Sequence, residues 1–251
     1  MPVVRLTLAY DGTDFRGWAR QRGPDVRTVE GVVADVLGQI LREDVRLSVA
    51  GRTDARVHAR GQVVSFATSN ELAPERIRLG LTSMLGPEVV ATDARIAPAG
   101  FNARFSASAR VYRYVIGTTE VPDPFTTRFV WDRPGPLALA AVRAGARLLV
   151  GEHDFTSFCR YPGVGKSTVR DLQQLSIVRR GDRVEFVVRA NAFLHQMVRT
   201  LVGTLVAVGD GLMSPADVGE ILRARDRAMA FEPAPAKGLT LERVVYGRRS
   251  R

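Results

Sequence analysis

The sequence predicts an α+β protein made of two ferredoxin-like (split βαβ) halves whose antiparallel sheets lie edge to edge. Three observations carry that expectation. The chain has 251 residues, room for one large or two modest domains at about 150 residues each. Its 45% hydrophobic and 25% charged residues are ordinary for a soluble globular protein, which excludes intrinsic disorder, collagen and small disulfide scaffolds. The order strand, helix, strand, strand, helix, strand is legible twice, once in each half.

In the first half, residues 1–105, Val3–Tyr10 alternates, is β-branched and ends at the turn Asp11-Gly12, so it reads as a strand. Thr28 is placed to cap a helix running to about Arg42, with Val29, Val32, Val33, Val36, Leu37, Ile40 and Leu41 on one face. Val45–Ala50 and Gln62–Thr68 read as strands separated by the polar loop Gly51–Arg60. Pro74 opens a helix to about Leu85, and a strand follows near Val89–Ile96. The boundary between halves is expected between Phe101 and Arg110.

The second half, residues 106–251, repeats the order more loosely. Val111–Gly117 reads as a strand, Val121–Pro136 as a Pro-rich loop and Leu137–Val150 as an amphipathic helix. Val169–Arg179 and Arg183–Ala190 flank the turn Arg180-Gly181-Asp182, and Ala192–Val208 reads as a long apolar helix. Ser214-Pro215-Ala216-Asp217 is a helix start, and Leu239–Tyr246 is the closing strand. Two such halves would set their helices on one side and leave a long open face, rimmed with arginine, on the other.

Charge narrows the partner. Lys plus Arg is 36 against 26 for Asp plus Glu, a net +10, and only Lys166 and Lys237 are lysines. Arginine holds its charge and offers a planar fork suited to phosphate and to base stacking, so the balance favours a polyanion such as nucleic acid. An arginine-rich genome or a high growth temperature would give the same count. Apolar runs such as Leu137–Val142 fall far short of the roughly 20 residues of a membrane span, so no membrane partner is expected. Cys159 is the only cysteine, which precludes an internal disulfide and fits a reducing cytoplasm. Beside Phe158 it reads as a small buried residue rather than a nucleophile.

Two motifs lead nowhere. Gly163-Val164-Gly165-Lys166-Ser167 suggests a phosphate-binding loop, but Arg160 stands where that loop needs glycine and no hydrophobic strand precedes it. His58, His153 and His195 are widely spaced and lack cysteine neighbours, so no metal is expected. The basic tail Arg248-Arg249-Ser250-Arg251 is given no role.

The segment from Ala50 to Ala59 is different. Asp54 has Arg52 and Arg56 two positions to either side and His58 four positions on, in a loop between two predicted strands. Flanking cations favour an ionised carboxylate, suited to a nucleophile or a stabiliser of positive charge. On spacing alone the same residues also read as a turn aspartate pairing with surface arginine.

Gly51-Arg52-Thr53-Asp54-Ala55, followed by Val57-His58, resembles the signature of the TruA-type tRNA pseudouridine synthases. Further segments agree in order along nearly the whole chain: Tyr10-Asp11-Gly12-Thr13 with Phe15 and Gly17-Trp18, then Ala103-Arg104-Phe105-Ser106-Ala107 and Tyr112-Arg113-Tyr114. Gly151–Phe155 with Ser157-Phe158, Asn191–His195 with Met197-Val198-Arg199, and Gly238-Leu239 with Leu241 complete the series.

The resemblance implies an enzyme that isomerises uridine to pseudouridine at positions 38 to 40 of the tRNA anticodon stem-loop, without metal or organic cofactor. It implies a homodimer with a basic cleft between the two ferredoxin-like halves of each subunit. It places the nucleophile at Asp54 and, at Arg52, the arginine that pairs with it and helps displace the base. Tyr112 matches the tyrosine that stacks on the uracil, Leu239 a leucine against the base, and Arg199 an arginine near the aspartate.

The residues read for themselves leave alternatives. Tyr112 lies in an alternating strand where an inward tyrosine is ordinarily core, facing the same way as Tyr114 and away from Arg113. Arg199 on an apolar helix needs an anion, either Asp54 or RNA phosphate. Leu239 by itself is indistinguishable from core, and His58 and His195 read as structural. A non-catalytic RNA-binding protein would use the same basic face, whereas a methyl or phosphoryl transferase lacks a Gly-rich cofactor loop. The chain also departs from the family. Arg56 replaces the usual glycine, Asn102 stands where histidine is common, and Leu81–Gly86 lacks the usual Asn-containing stretch. If that glycine serves a positive φ, Arg56 strains the loop or adds a phosphate contact.

Overall fold

A computed structural model describes every residue except Arg22, Pro24, Asp25, Tyr161, Pro162, Val164 and 248–251. Part of the glycine-rich stretch 163–167 and the basic tail thus lie outside the described residues. The protein is mixed α+β, with five α-helices among the described residues. It divides into two compact units, Met1–Ser108 with Leu241–Arg251, and Ala109–Thr240.

In the first unit, β1 (Val3–Tyr10) alternates as its sequence demands, with Val4, Leu6, Leu8 and Tyr10 buried. It runs antiparallel between β3 (His58–Ala67) and β4 (Val89–Ile96). The predicted strand at Val45–Ala50 shrinks to β2 (Ser48–Val49), paired with the far side of β3. Helix α1 (Val29–Leu41) starts where Thr28 Oγ1 accepts the Gly31 amide at 3.2 Å. It ends at Arg42 in left-handed conformation. Helix α2 (Pro74–Leu85) begins at its proline and buries Ile77 and Leu81. The last strand, β10 (Leu239–Tyr246), lies beside β3.

β3 is the best protected strand of this unit because both of its faces are covered. Val64 and Phe66 share the β1 face with Leu6 and Val4. On the other face, Val63 clusters with Ala50 and Ala103, flanked by Phe101, Val244 and Tyr246. The β1–β3 register slips between Leu8 and Tyr10, so Leu8 opposes Gln62 while Tyr10 opposes Ala59. Bulges re-aim side chains, and this one sits at the end of β3 nearest the Asp54 loop.

In the second unit, β5 (Ala107–Gly117), β9 (Arg183–Ala190), β8 (Val169–Arg180) and β7 (Gly151–Asp154) form an antiparallel series in that spatial order. β6 (Trp131–Asp132) pairs parallel with the end of β5. Helix α3 (Leu139–Arg147) is shorter than the predicted Leu137–Val150, since neither end carries a side-chain cap. Helix α4 (Met197–Gly209) starts five residues later than predicted. The Asn191 side chain takes the Ala192 amide at 2.7 Å, and Gln196 adopts φ +63, so residues 191–196 turn instead of coiling. Every residue of α4 except Arg199 is buried. Helix α5 (Pro215–Ala224) opens with a capping box between Ser214 and Asp217.

Candidate active site

The loop Gly51–Val57 joins β2 to β3 in the first unit. Arg52, Ala55 and Arg56 are exposed, Asp54 is half-buried, and Thr53 and Val57 are buried. The Val57 amide donates to the Asp54 carbonyl at 3.2 Å, closing a turn whose third residue, Arg56, has φ +64. An L-residue there costs about 1–2 kcal/mol. The arginine in place of glycine therefore sits in a backbone state that glycine would adopt freely.

The segment Tyr10–Trp18 cradles this turn. The Trp18 amide donates to the Thr53 carbonyl at 3.0 Å and the Arg56 amide to the Phe15 carbonyl at 3.2 Å. Gly12 donates its amide to His58 Nδ1 at 3.0 Å, and a Cβ at Gly12 would lie 2.1 Å from the Val57 carbonyl oxygen. Only glycine allows that approach. Asp11 Oδ1 accepts from the Thr13 amide and hydroxyl at 3.0 and 2.6 Å and lies 3.1 Å from His58 Nδ1. His58 is thus a structural residue of the cradle.

Beneath the loop, Tyr10 Oη and Thr53 Oγ1 are hydrogen-bonded at 2.8 Å, and Gln62 Nε2 donates to the Gly51 carbonyl at 2.6 Å. A longer contact of 3.4 Å runs from Gln62 Nε2 to Tyr10 Oη. Burial pushes the Tyr10 phenol up to about 12, against the opposing pull of its bonds to Thr53 and Gln62. Tyr10 and Thr53 fall within the family-like segments, but nothing in those segments pairs them, and Gln62 belongs to none. The one available signal was a glutamine in the apolar run Gln62–Phe66.

The other candidate residues belong to the second unit. Tyr112 on β5 is buried edge-to-face against Phe193, centroids 5.1 Å apart. Tyr114 is buried too and donates to the Pro235 carbonyl at 2.7 Å, while Arg113 faces Glu185 at 3.5 Å. Burial pushes the Tyr114 phenol well above its usual range, and the Arg199 charge opposes that rise. Arg199 Nε donates to the Ala234 carbonyl at 2.7 Å. Two consecutive carbonyls, at 234 and 235, are therefore held just before the single turn Ala236–Gly238 that delivers the buried Leu239. Asn102 secures a loop, accepting from Ser48 and from the Arg104 and Phe105 amides. Burial raises the Cys159 thiol, which keeps it a poor nucleophile.

Among the described residues no three His, Cys, Asp or Glu side chains cluster as metal ligands, and no helix is long and apolar enough to cross a membrane.

Residues 7–106 and 146–247 match the tRNA pseudouridine synthase family. The chain belongs to that family. Its relatives include a tRNA pseudouridine synthase A of Brevibacillus brevis, 44% identical over 98% of this chain and 100% of its own. One from Moorella thermoacetica is 42% identical over 98% and 100%, and one from Methylobacterium nodulans 40% over 98% and 96%. The protein is accordingly a pseudouridine synthase, an isomerase acting on tRNA. Arg52, Asp54, Arg199 and Leu239 fall within the matched residues of the synthase family, and Tyr112 lies in the interval between them.

Proposed function

We propose that this synthase converts uridine to pseudouridine at positions 38 to 40 of the tRNA anticodon stem-loop, with Asp54 as nucleophile. The observation that carries the reading is a half-buried carboxylate on a turn anchored at both ends, with exposed Arg52 beside it. The reaction breaks the bond from ribose C1′ to uracil N1, turns the ring and joins C1′ to C5; the C5 proton is lost and N1 takes one up. Attack by a carboxylate, on sugar or base, splits this into two easier steps. A helical uridine must first be flipped out, at a cost of a few kcal/mol. Arg52 fills the vacated space and holds phosphate. Tyr112 and Leu239 enclose the base, and stacking of about 1–3 kcal/mol offsets much of the unstacking. Arg199 sets charge near the carboxylate while steadying the segment before Leu239. No metal or organic cofactor takes part.

In this reading the two units are ferredoxin-like halves, edge to edge around a basic cleft, and the enzyme works as a cytoplasmic homodimer. Within the first unit the spatial order β4-β1-β3-β2 supports it, since that is the antiparallel arrangement a split βαβ unit produces. The test is Asp54→Asn on unmodified tRNA transcript in EDTA. Turnover should fall by about 10³-fold or more while tRNA binding persists. Near-normal turnover by the variant, or products outside the anticodon arm, would overturn the assignment.

A further inference from the structure

We infer that Tyr10, Thr53 and Gln62 are positioning residues, a buried hydrogen-bonded triad that aims Asp54 and Arg52 outward from the loop. The inference rests on Asp54 being the nucleophile.

The three side chains are 5%, 7% and 0% exposed. Buried polar groups cost stability unless they are paired, and packing alone did not require them here. The same face of β1 and β3 is otherwise filled by Val4, Leu6, Leu8, Val64 and Phe66, and Leu8 stands directly opposite Gln62. An aliphatic residue would fill position 62 equally well.

What the polar atoms share is their target. Gln62 holds the carbonyl of Gly51 and Tyr10 holds the hydroxyl of Thr53, the two residues that bracket Arg52. Thr53 directly precedes Asp54, and its carbonyl is held in turn by the Trp18 amide. Three atoms are thus tied within three residues. With Thr53 turned inward, its neighbours at 52 and 54 are turned out. Gln62 donates to the phenol oxygen, and the phenol proton or the Thr53 hydroxyl proton completes the bond between those two groups. Because burial keeps that phenol neutral to about pH 12, the proton stays in place under any working condition.

A misplacement of about 1 Å in a reacting group costs up to roughly a hundredfold in rate. Tyr10→Phe and Thr53→Val, each keeping the shape of the core, should therefore slow single-turnover pseudouridine formation about ten- to a hundredfold. The tRNA concentration giving half-maximal rate should stay within twofold. Thr53→Ser, which keeps the hydroxyl, should restore the rate to within twofold. The double variant should be no slower than the slower single one, since both remove the Tyr10–Thr53 bond. The triad's role is overturned if Tyr10→Phe and Thr53→Val lower the melting temperature but turn over at the wild-type rate. If Tyr10→Phe does not fold, the Thr53→Val and Thr53→Ser pair decides by the same criterion. Asp54→Asn is run beside them. An active Asp54→Asn refutes the nucleophile assignment, whereas an inactive one with normal Tyr10→Phe and Thr53→Val refutes the triad alone.

Discussion

Two regions carry the candidate residues, and they are built differently. In the first unit, the Asp54 turn is held from below and from the side by directional bonds that link Gln62, Tyr10, Trp18 and Phe15 with atoms of residues 51 to 56. In the second, Tyr112 and Leu239 are buried by area and shape. Tyr112 packs on the Phe193 ring, and Leu239 follows a segment pinned at the carbonyls of 234 and 235. A hydrogen bond fixes an angle, and burial of apolar area does not. A group that must attack one atom needs the former. A surface that must receive a flat ring needs the latter.

Variants break or sharpen this contrast. Asp54→Asn stands at the top of the scale, because it removes the proposed reacting atom itself. Next comes Tyr112. If its ring stacks on the base, Tyr112→Leu should lower kcat/KM by about 5- to 150-fold, matching the 1–3 kcal/mol of a stacking contact. Tyr112→Phe should keep most activity. Should Tyr112→Leu stay folded by circular dichroism and react normally, Tyr112 is core and the contrast loses its second member.

The alkaline limb of stability probes the polar base of the loop. An unfolded tyrosine ionises near pH 10, whereas buried Tyr10 holds its proton to about 12. Between those values the unfolded chain binds fewer protons than the folded one, so stability falls as pH rises, by about 1.4 kcal/mol per pH unit for this group. Tyr114, also raised by burial, adds to the limb in the same direction. Urea titrations between pH 9 and 12 should show a shallower decline in Tyr10→Phe. An unchanged slope would mean that Tyr10 does not sit in the buried network.

The smallest effect belongs to Arg56→Gly. Relief of the positive φ is worth about 1–2 kcal/mol, less the 0.4–1 that glycine loses on ordering, leaving a gain of about 0.5 kcal/mol. If the Arg56 side chain also meets a phosphate, the salt dependence of tRNA binding should weaken by about one unit of log–log slope. Loss of stability in this variant would refute the strain.

Much of this was legible in the chain. Period-two alternation from Val3 to Tyr10, the Thr28 and Ser214 caps and Pro74 each marked an element that forms, because each states a local preference. The misses share a cause. β7 is Gly-Glu-His-Asp, with no β-branched residue and no Phe, Tyr or Trp, and becomes a strand only because β8 offers an edge. Ala192–Gln196 looked helical by composition, yet the Asn191 side chain and a left-handed Gln196 turn it aside. Arg56 was recognised as a departure, but its φ came only from the structure.

The sequence by itself determined the family, the α+β class, the two sets of elements and the candidate for the reactive carboxylate, since these follow from local periodicity and from a motif within a few adjacent residues. The tertiary structure alone decided what holds that carboxylate. Tyr10, Thr53 and Gln62 are 43 and 52 residues apart along the chain as measured from Tyr10. A one-residue slip in the β1–β3 register accompanies their meeting. Hydrogen bonds between distant side chains depend on register and burial, and neither is written in the neighbourhood of any one of them.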